Sequence, residues 1–301
     1  MKKFDVIIIG AGPAGMTAGI YAARSGLSTG IISKDIGGTT NSILVLENWP
    51  GFKGSGNELM KQFYNQVKEY EDIEFVMSDV LGIEKKGDLF LIKSKKEILE
   101  AKSVIITTGT ERKKLGIPGE EEFIGKGVSY CVTCDAFFFK GKTVGVVGGS
   151  DCAAISALAL SDLVKKVYII YRGQKLRCED INYKRLKQKK NVEMVYNAIP
   201  EKMIGKEKLI GIEIEENGKK KQISVDGIFV EIGSIPLNKF AKDIGLKLDK
   251  EGYIVVDEDM KTSVNGVFAA GDITNQKLKQ VVVASGQGSI AAKSAYAYLK
   301  K

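Results

Sequence analysis

The chain has 301 residues, a net charge of +8, 44% hydrophobic residues and 27% charged ones. That balance belongs to one or two folded domains and excludes a disordered chain, while four cysteines are too few for a disulfide framework. No apolar run is long enough to cross a bilayer, and Met1-Lys2-Lys3 leads into a short strand rather than a signal peptide, so a cytoplasmic protein without membrane or nucleic-acid partners is expected.

Phe4-Asp5-Val6-Ile7-Ile8-Ile9 is a short apolar run without helical period, followed by Gly10-Ala11-Gly12-Pro13-Ala14-Gly15 and by small residues from 17 to 23. Strand, turn and helix follow one another, and a complete G-x-G-x-x-G in that setting predicts a dinucleotide site. Gly10 makes the turn, Gly12 lets the backbone approach a pyrophosphate, and Gly15 lets the helix pack on the sheet. Residues 26–33 read as the second strand. Ser33 stands at its end, where an acidic residue often holds a ribose, which weakens that contact and leaves the pyrophosphate site intact.

Gly37-Gly38-Thr39 and Glu47-Asn48-Trp49-Pro50-Gly51-Phe52 read as loops, and Leu59, Met60, Phe63 and Val67 are spaced for an amphipathic helix over 57–70. Residues 73–83, 89–92 and 98–99 predict a small antiparallel sheet, and 103–109 a buried strand ending on glycine. Gly116-Ile117-Pro118-Gly119 reads as a domain boundary.

Cys131-Val132-Thr133-Cys134-Asp135 is the reactive centre of the chain. Two cysteines at this spacing can close a disulfide ring on the first turn of a helix, where backbone N–H groups stabilise a thiolate, and Asp135 is placed to move a proton. Half of a zinc site is the competing reading. It needs two further ligands, but the chain has no histidine and its other cysteines, Cys152 and Cys178, are isolated, so a redox dithiol is favoured and no metal is expected.

Beyond the dithiol the N-terminal pattern recurs. At a constant offset Gly10 pairs with Gly148, Gly12 with Ser150, Gly15 with Ala153 and Ser33 with Tyr171, an internal duplication of a nucleotide-binding unit. Ser150 damages the second copy, because its side chain crowds the approach of a pyrophosphate. Lys175, Arg177, Lys184, Arg185, Lys187, Lys189 and Lys190 then form a basic strip, either a solvated face or a docking surface. Gly266-Val267-Phe268-Ala269-Ala270-Gly271-Asp272 is a strand ending in Gly-Asp, where the aspartate holds a ribose or ribityl hydroxyl or simply sits in a surface turn. A long helix over 280–298 follows.

Together these residues resemble the low-molecular-weight thioredoxin reductase family over essentially the whole chain. The segments 10–15, 47–52, 107–109, 117–120, 131–135, 137–141, 266–272 and 279–281 fall in family order. The resemblance implies an α/β fold of two Rossmann-like three-layer nucleotide-binding domains, the second inserted into the first. It puts an FAD-binding domain at 1–114 and 238–301, and an inserted domain at 115–237 with the redox dithiol and a degenerate NADPH-type site. It further implies FAD as cofactor, thioredoxin as partner, a homodimer, and rotation of the inserted domain about hinges near Gly116 and Ile235.

Carried over residue by residue, Gly10, Gly12, Pro13, Ala14 and Gly15 face the FAD pyrophosphate, with Ser33 at the ribose end. Gly38, Thr39, Asn41 and Asn48 line the flavin, and Val80 meets the adenine by its backbone. Thr108 and Gly109 add to the FAD site, and Gly271, Asp272, Lys279, Gln280 and Val281 close over the ribityl chain and ring. The resemblance makes Cys134 the thiol beside the flavin, Cys131 the thiol that exchanges with thioredoxin, and Asp135 the acid/base.

The departures fall on the NADPH site. Besides Ser150, the paired glutamates common in the next helix are Ile155 and Ser156, and the His-Arg-Arg that reads the 2′-phosphate is Tyr171-Arg172-Gly173, with Arg177 retained. A ferredoxin-dependent branch of the fold, lacking the pyridine nucleotide site, is the resemblance favoured. Ferredoxins near roughly −400 mV and thioredoxin near about −270 mV leave a two-electron drop on the order of 6 kcal/mol. Ferredoxins are commonly acidic, which offers the basic strip a partner. The alternatives are an NADPH-dependent thioredoxin reductase, a small-molecule dithiol oxidase using oxygen, and a redox-sensing flavoprotein without turnover.

Overall fold

A computed structural model describes residues 1–43 and 46–301. It opens with β1 (Lys2–Ala11), whose Val6, Ile7 and Ile8 are fully buried, as in a strand covered on both faces. The glycine turn leads into α1 (Pro13–Arg24), with Pro13 at the helix start, where no N–H is required. β2 (Thr29–Ile36) pairs parallel with β1. The expected loop over 47–52 is instead a short antiparallel pair, β3 (Leu46–Trp49) and β4 (Phe52–Gly54). α2 (Gly56–Val67) begins at a reciprocal capping box between Ser55 and Glu58.

β5 (Ile73–Met77) pairs parallel with β2, so it does not belong to an antiparallel sheet as its sequence neighbourhood predicts. Ser78 donates its N–H to Ser33 O at 2.9 Å and ends the strand, and β6 (Val80–Lys86) starts afresh. β7 (Leu89–Ser94) pairs antiparallel with β6 and with β8 (Ile98–Ile106). The two separate strands expected around 98 and 103 are this single β8, which keeps register on β1 from Lys2↔Leu99 to Ile9↔Ile106. Pairing with β1 on both sides of Lys102, at Ala101 and at Ser103, joins the two stretches into one strand. β9 (Thr110–Arg112) leaves this unit.

The second unit repeats the plan. Its elements are β10 (Val128–Ser129), α3 (Val132–Asp135), β11 (Thr143–Val147), α4 (Asp151–Ser161), β12 (Lys166–Tyr171), α5 (Asp180–Gln188) and β13 (Val192–Tyr196). β14 (Ala198–Gly205), β15 (Leu209–Glu216) and β16 (Lys219–Ser224) make a separate antiparallel sheet before β17 (Gly227–Val230). The main sheet is five-stranded and parallel, in the order β10-β17-β11-β12-β13. Val147, Ile170, Ile228 and Val230 from it pack on Ile212 and Ile214 of β15.

β18 (Ser234–Pro236) brings the chain back, pairing with β9. β19 (Val267–Ala269) then joins the free edge of β8, completing a seven-stranded sheet, and α6 (Val281–Leu299) lies along α1. A Cβ at Gly288 would stand 2.2 Å from Ala14 O, so the two helices approach as closely as only glycine allows.

The fold is therefore α/β, two Rossmann-like halves with the second inserted into the first. The compact units are Met1–Glu111 with Ile235–Lys301, and Arg112–Ser234. Residues 116–119 lie within the second: Met203 N donates to Pro118 O at 2.9 Å, and the Glu120 carboxylate accepts the N–H groups of Leu115 and Gly116 at 2.8 and 2.6 Å. No helix among the described residues is long and apolar enough to cross a membrane.

Candidate functional site

The first glycine turn is shaped by what surrounds it. Gly10 has φ +113°, and a Cβ there would lie 2.4 Å from Thr107 O; at Gly15 a Cβ would lie 1.9 Å from Gly10 O. Gly12 differs, because nothing stands within 4 Å of its missing Cβ. Open space therefore faces the first turn of α1, whose N–H groups have no partner inside the helix. The Thr107 hydroxyl donates to Ile9 O and Gly10 O, both at 2.9 Å, and braces the turn from behind.

The end of β19 meets the same turn. Gly271 has φ +81°, and its missing Cβ would stand 3.0 Å from the Ala14 Cβ. Its N–H donates to the buried Gln287 side chain at 2.8 Å, and its carbonyl accepts the Thr274 hydroxyl at 2.9 Å. Lys279 Nζ donates to Asp272 O at 3.0 Å and Thr274 O at 2.6 Å and lies 4.0 Å from the centre of the Tyr253 ring. Burial pushes the Asp272 carboxyl above its ordinary range, with the Lys279 charge opposing, and burial pushes the Lys279 ammonium below its own. Gln280 takes the N-cap position of α6 ahead of Val281, and its Oε1 accepts Asn48 Nδ2–H at 3.0 Å, which joins two segments distant in the chain.

These residues fit FAD. The turn leaves open space at Gly12, and no hydrogen-bond donor reaches the Asp272 carboxylate among the described residues. Of the other expected contacts, Gly38, Thr39 and Asn41 lie on a 3-10 turn, Gly38–Ser42. Asn41 directs its amide N–H to Ile36 O at 2.7 Å and lines a cleft with Asn57, Met60, Lys61 and Tyr64. Ser33 O holds the Ser78 N–H, beside the buried Val80 that opens β6. Thr108 and Gly109 grip the returning chain: Thr108 Oγ1 donates to Leu237 O at 2.8 Å, and Leu237 N donates to Gly109 O at 3.0 Å. Thr274 and Gln287 escaped sequence reasoning, and Thr107 entered it only as part of the segment 107–109, without a role of its own. Gln287 had one signal, an amide within an Ala/Ser-rich helix.

Cys131 and Cys134 form a disulfide, with Cα atoms 5.3 Å apart. Cys131 is the N-cap of α3: its Sγ accepts the Cys134 N–H at 3.2 Å, its carbonyl accepts the Asp135 N–H at 3.1 Å, and its own N–H goes to Ser129 Oγ at 3.0 Å. Cys134 is exposed, while Cys131 and Asp135 are half-buried. Tyr130, just before the pair, donates its hydroxyl to Glu120 at 2.5 Å, and burial together with that carboxylate pushes the phenol above its ordinary range. Phe137 and Phe138, just after it, are each 72% exposed.

In the second glycine turn Gly148 has φ +149°, and Ser150 takes the N-cap position that Gly12 holds in the first. The Tyr171 ring lies across this turn. Ideal Cβ positions at Gly149 and Gly173 would fall 2.4 Å and 2.6 Å from its carbons, so the ring touches both glycines at once. Cys152 and Cys178 are free thiols, the first exposed and the second half-buried. In the basic strip, Lys175 and Lys187 lie over the Tyr183 ring at 5.9 and 5.5 Å, and Lys189 pairs with Asp162 at 2.5 Å.

A dinucleotide fold, its altered copy and a closed C-x-x-C disulfide in one chain define a flavoprotein disulfide oxidoreductase. Residues 4–288 match the family described as pyridine nucleotide-disulphide oxidoreductase. The chain belongs to that family and, within it, to the low-molecular-weight thioredoxin reductases, with FAD as cofactor. It is 39% identical to a thioredoxin reductase of Bacillus subtilis (strain 168), over 100% of this chain and 96% of that one. Among solved structures, the Lactococcus lactis thioredoxin reductase in its FR conformation is 35% identical with a TM-score of 0.96, covering 99% of each chain. The T. acidophilum thioredoxin reductase is 42% identical with a TM-score of 0.94, again over 99% of each. A ferredoxin-flavin thioredoxin reductase from Clostridium acetobutylicum is 33% identical with a TM-score of 0.56, over 100% of this chain and 98% of that one.

Proposed function

We propose that this chain reduces thioredoxin and takes its electrons from reduced ferredoxin rather than from a pyridine nucleotide. The observation that carries the choice of donor is the Tyr171 ring, which covers Gly149 and Gly173 where an adenosine ribose would lie. The same fold in the Clostridium acetobutylicum ferredoxin-flavin enzyme supports it, as does the basic strip along 175–190, the docking face for an acidic donor. The protein works as a cytoplasmic homodimer.

Gly10, Gly12 and Gly15, Asp272 and the Lys279-Gln280-Val281 segment would hold FAD, which, once reduced by the donor, would supply the two electrons that open the Cys131–Cys134 disulfide. The Cys134 N–H, which points at Cys131 Sγ, favours a thiolate there. That thiolate attacks the thioredoxin disulfide, forming a mixed disulfide and expelling one thioredoxin thiolate, which Asp135 protonates. Cys134 then attacks Cys131 Sγ, restoring the internal disulfide and releasing the second thioredoxin thiol.

The test is an anaerobic titration of the flavin absorbance. Reduced ferredoxin is expected to bleach it, with NADPH and NADH inactive; prompt bleaching by micromolar NADPH overturns the proposal. The second reading, NADPH as donor, is favoured by Arg172, directly after β12, and by Arg177 beyond it, and gives that opposite result. Cys131→Ser is expected to abolish thioredoxin reduction while leaving flavin reduction intact.

A further inference from the structure

The two nucleotide folds differ at one buried position. In the first, Thr107 follows β8, donates its N–H to Ile9 O at 2.8 Å, and backs the glycine turn with a neutral hydroxyl. In the second, Glu231 follows β17 and donates its N–H to Val147 O at 2.7 Å, and its carbonyl would lie 2.2 Å from a Cβ at Gly148, as that of Thr107 does at Gly10. The backbone roles coincide, but the side chain has become a carboxylate.

That carboxylate is 4% exposed and fully engaged. Oε1 accepts the Ser156 hydroxyl of α4 at 2.8 Å, and Oε2 pairs with Arg112 Nη1 at 2.7 Å. Arg112 is thereby held near the second glycine turn, which Glu231 backs through its carbonyl at Gly148. A guanidinium near a glycine turn and the helix that follows it is a donor that this fold can offer to a phosphate. Here an anion of the chain itself takes it.

We propose that Glu231 is a built-in counter-anion and a specificity determinant: clamped by Arg112 and Ser156 behind the second glycine turn, it takes up the arginine charge beside that turn and so turns away the pyrophosphate of a pyridine nucleotide. This rests on the reading that the donor is not NADPH, and it adds an electrostatic bar to the steric one. Tyr171 closes the ribose end with a ring, and Glu231 neutralises Arg112 at the pyrophosphate end. Restoring Gly at 150, or removing Tyr171, leaves the second bar in place.

ADP carries the adenosine and pyrophosphate without the redox chemistry and serves as the probe, its binding to the FAD-loaded protein measured by calorimetry. Wild type is expected to show no binding, and Tyr171→Ala only weak binding. Adding Glu231→Gln, which keeps the shape and the Ser156 contact, is expected to tighten it on the order of tenfold or more, the worth of one charge-assisted phosphate contact. Arg112→Met in that background is expected to erase the gain. Glu231→Thr copies the first unit and gives the same comparison should the glutamine variant fail to fold. No gain from either substitution, or a gain that survives Arg112→Met, overturns the proposal. Bleaching of the wild-type flavin by NADPH is a separate readout and refutes the donor assignment instead.

Discussion

Thr107 and Glu231 stand at the same point of two copies of one fold, each bonded through its N–H to the residue before a glycine turn, Ile9 in one and Val147 in the other. One copy presents a hydroxyl that braces an open turn, and the other presents a buried carboxylate that ties down Arg112 and Ser156. The duplicated frame has kept its backbone contacts while its two sites have diverged.

The open turn makes a prediction about two glycines. Gly15→Ala places a Cβ 1.9 Å from Gly10 O, a backbone atom, and is expected to destabilise the protein by about 3 kcal/mol or more. Gly12→Ala meets nothing within 4 Å, so the urea midpoint is expected to hold while the flavin-to-protein absorbance ratio falls.

Gln287 accepts the Gly271 N–H and so holds the turn that presents Asp272. Gln287→Ala leaves that buried donor without an acceptor, at about 1–3 kcal/mol, and is expected to release flavin on dilution. Gln287→Glu keeps the acceptor oxygen and is expected to retain flavin better than the alanine variant.

Glu120 is 1% exposed and accepts the N–H groups of Leu115 and Gly116 and the Tyr130 hydroxyl. Tyr130→Phe removes one of these bonds and is expected to lower stability by about 1 kcal/mol; Glu120→Ala strands all three donors, at about 3 kcal/mol or more. Urea denaturation measures both, and limited proteolysis around Cys131 reads whether the dithiol loop loosens with them.

Asp272 and Glu231 give a pH prediction. Burial raises both carboxyls above their ordinary values of 3.8 and 4.5. The folded protein therefore binds these protons more tightly than the unfolded chain does. Their contribution is fully present below those ordinary values and is lost as pH rises through the folded ones. Apoprotein stability, followed by urea midpoint, is expected to carry this downward component with rising pH, and Asp272→Asn is expected to flatten its share.

The glycine turns, the duplication and the dithiol were legible in the sequence because each is a local device: a turn demands glycine at fixed spacing, and a small disulfide ring demands cysteines three apart. The strand pairings were not. Ile73–Met77 reads like its antiparallel neighbours until β2 claims it, and residues 98–99 and 103–109 read as two strands until β1 pairs with both as one. Glu120 lay inside a recognisable motif, but its three donors come from both sides of it in the chain. Glu231 in Phe229-Val230-Glu231-Ile232-Gly233 carries no mark of burial, since its partners Arg112 and Ser156 are remote in sequence.

The dithiol, the first nucleotide turn and the altered second copy were thus determined by the sequence alone, through spacing and backbone conformation. How the second copy is closed was decided only by tertiary structure: a ring at Tyr171 laid across two glycines, and a carboxylate at Glu231 matched to an arginine. Both are contacts between segments that the chain brings together only when the parallel sheet forms.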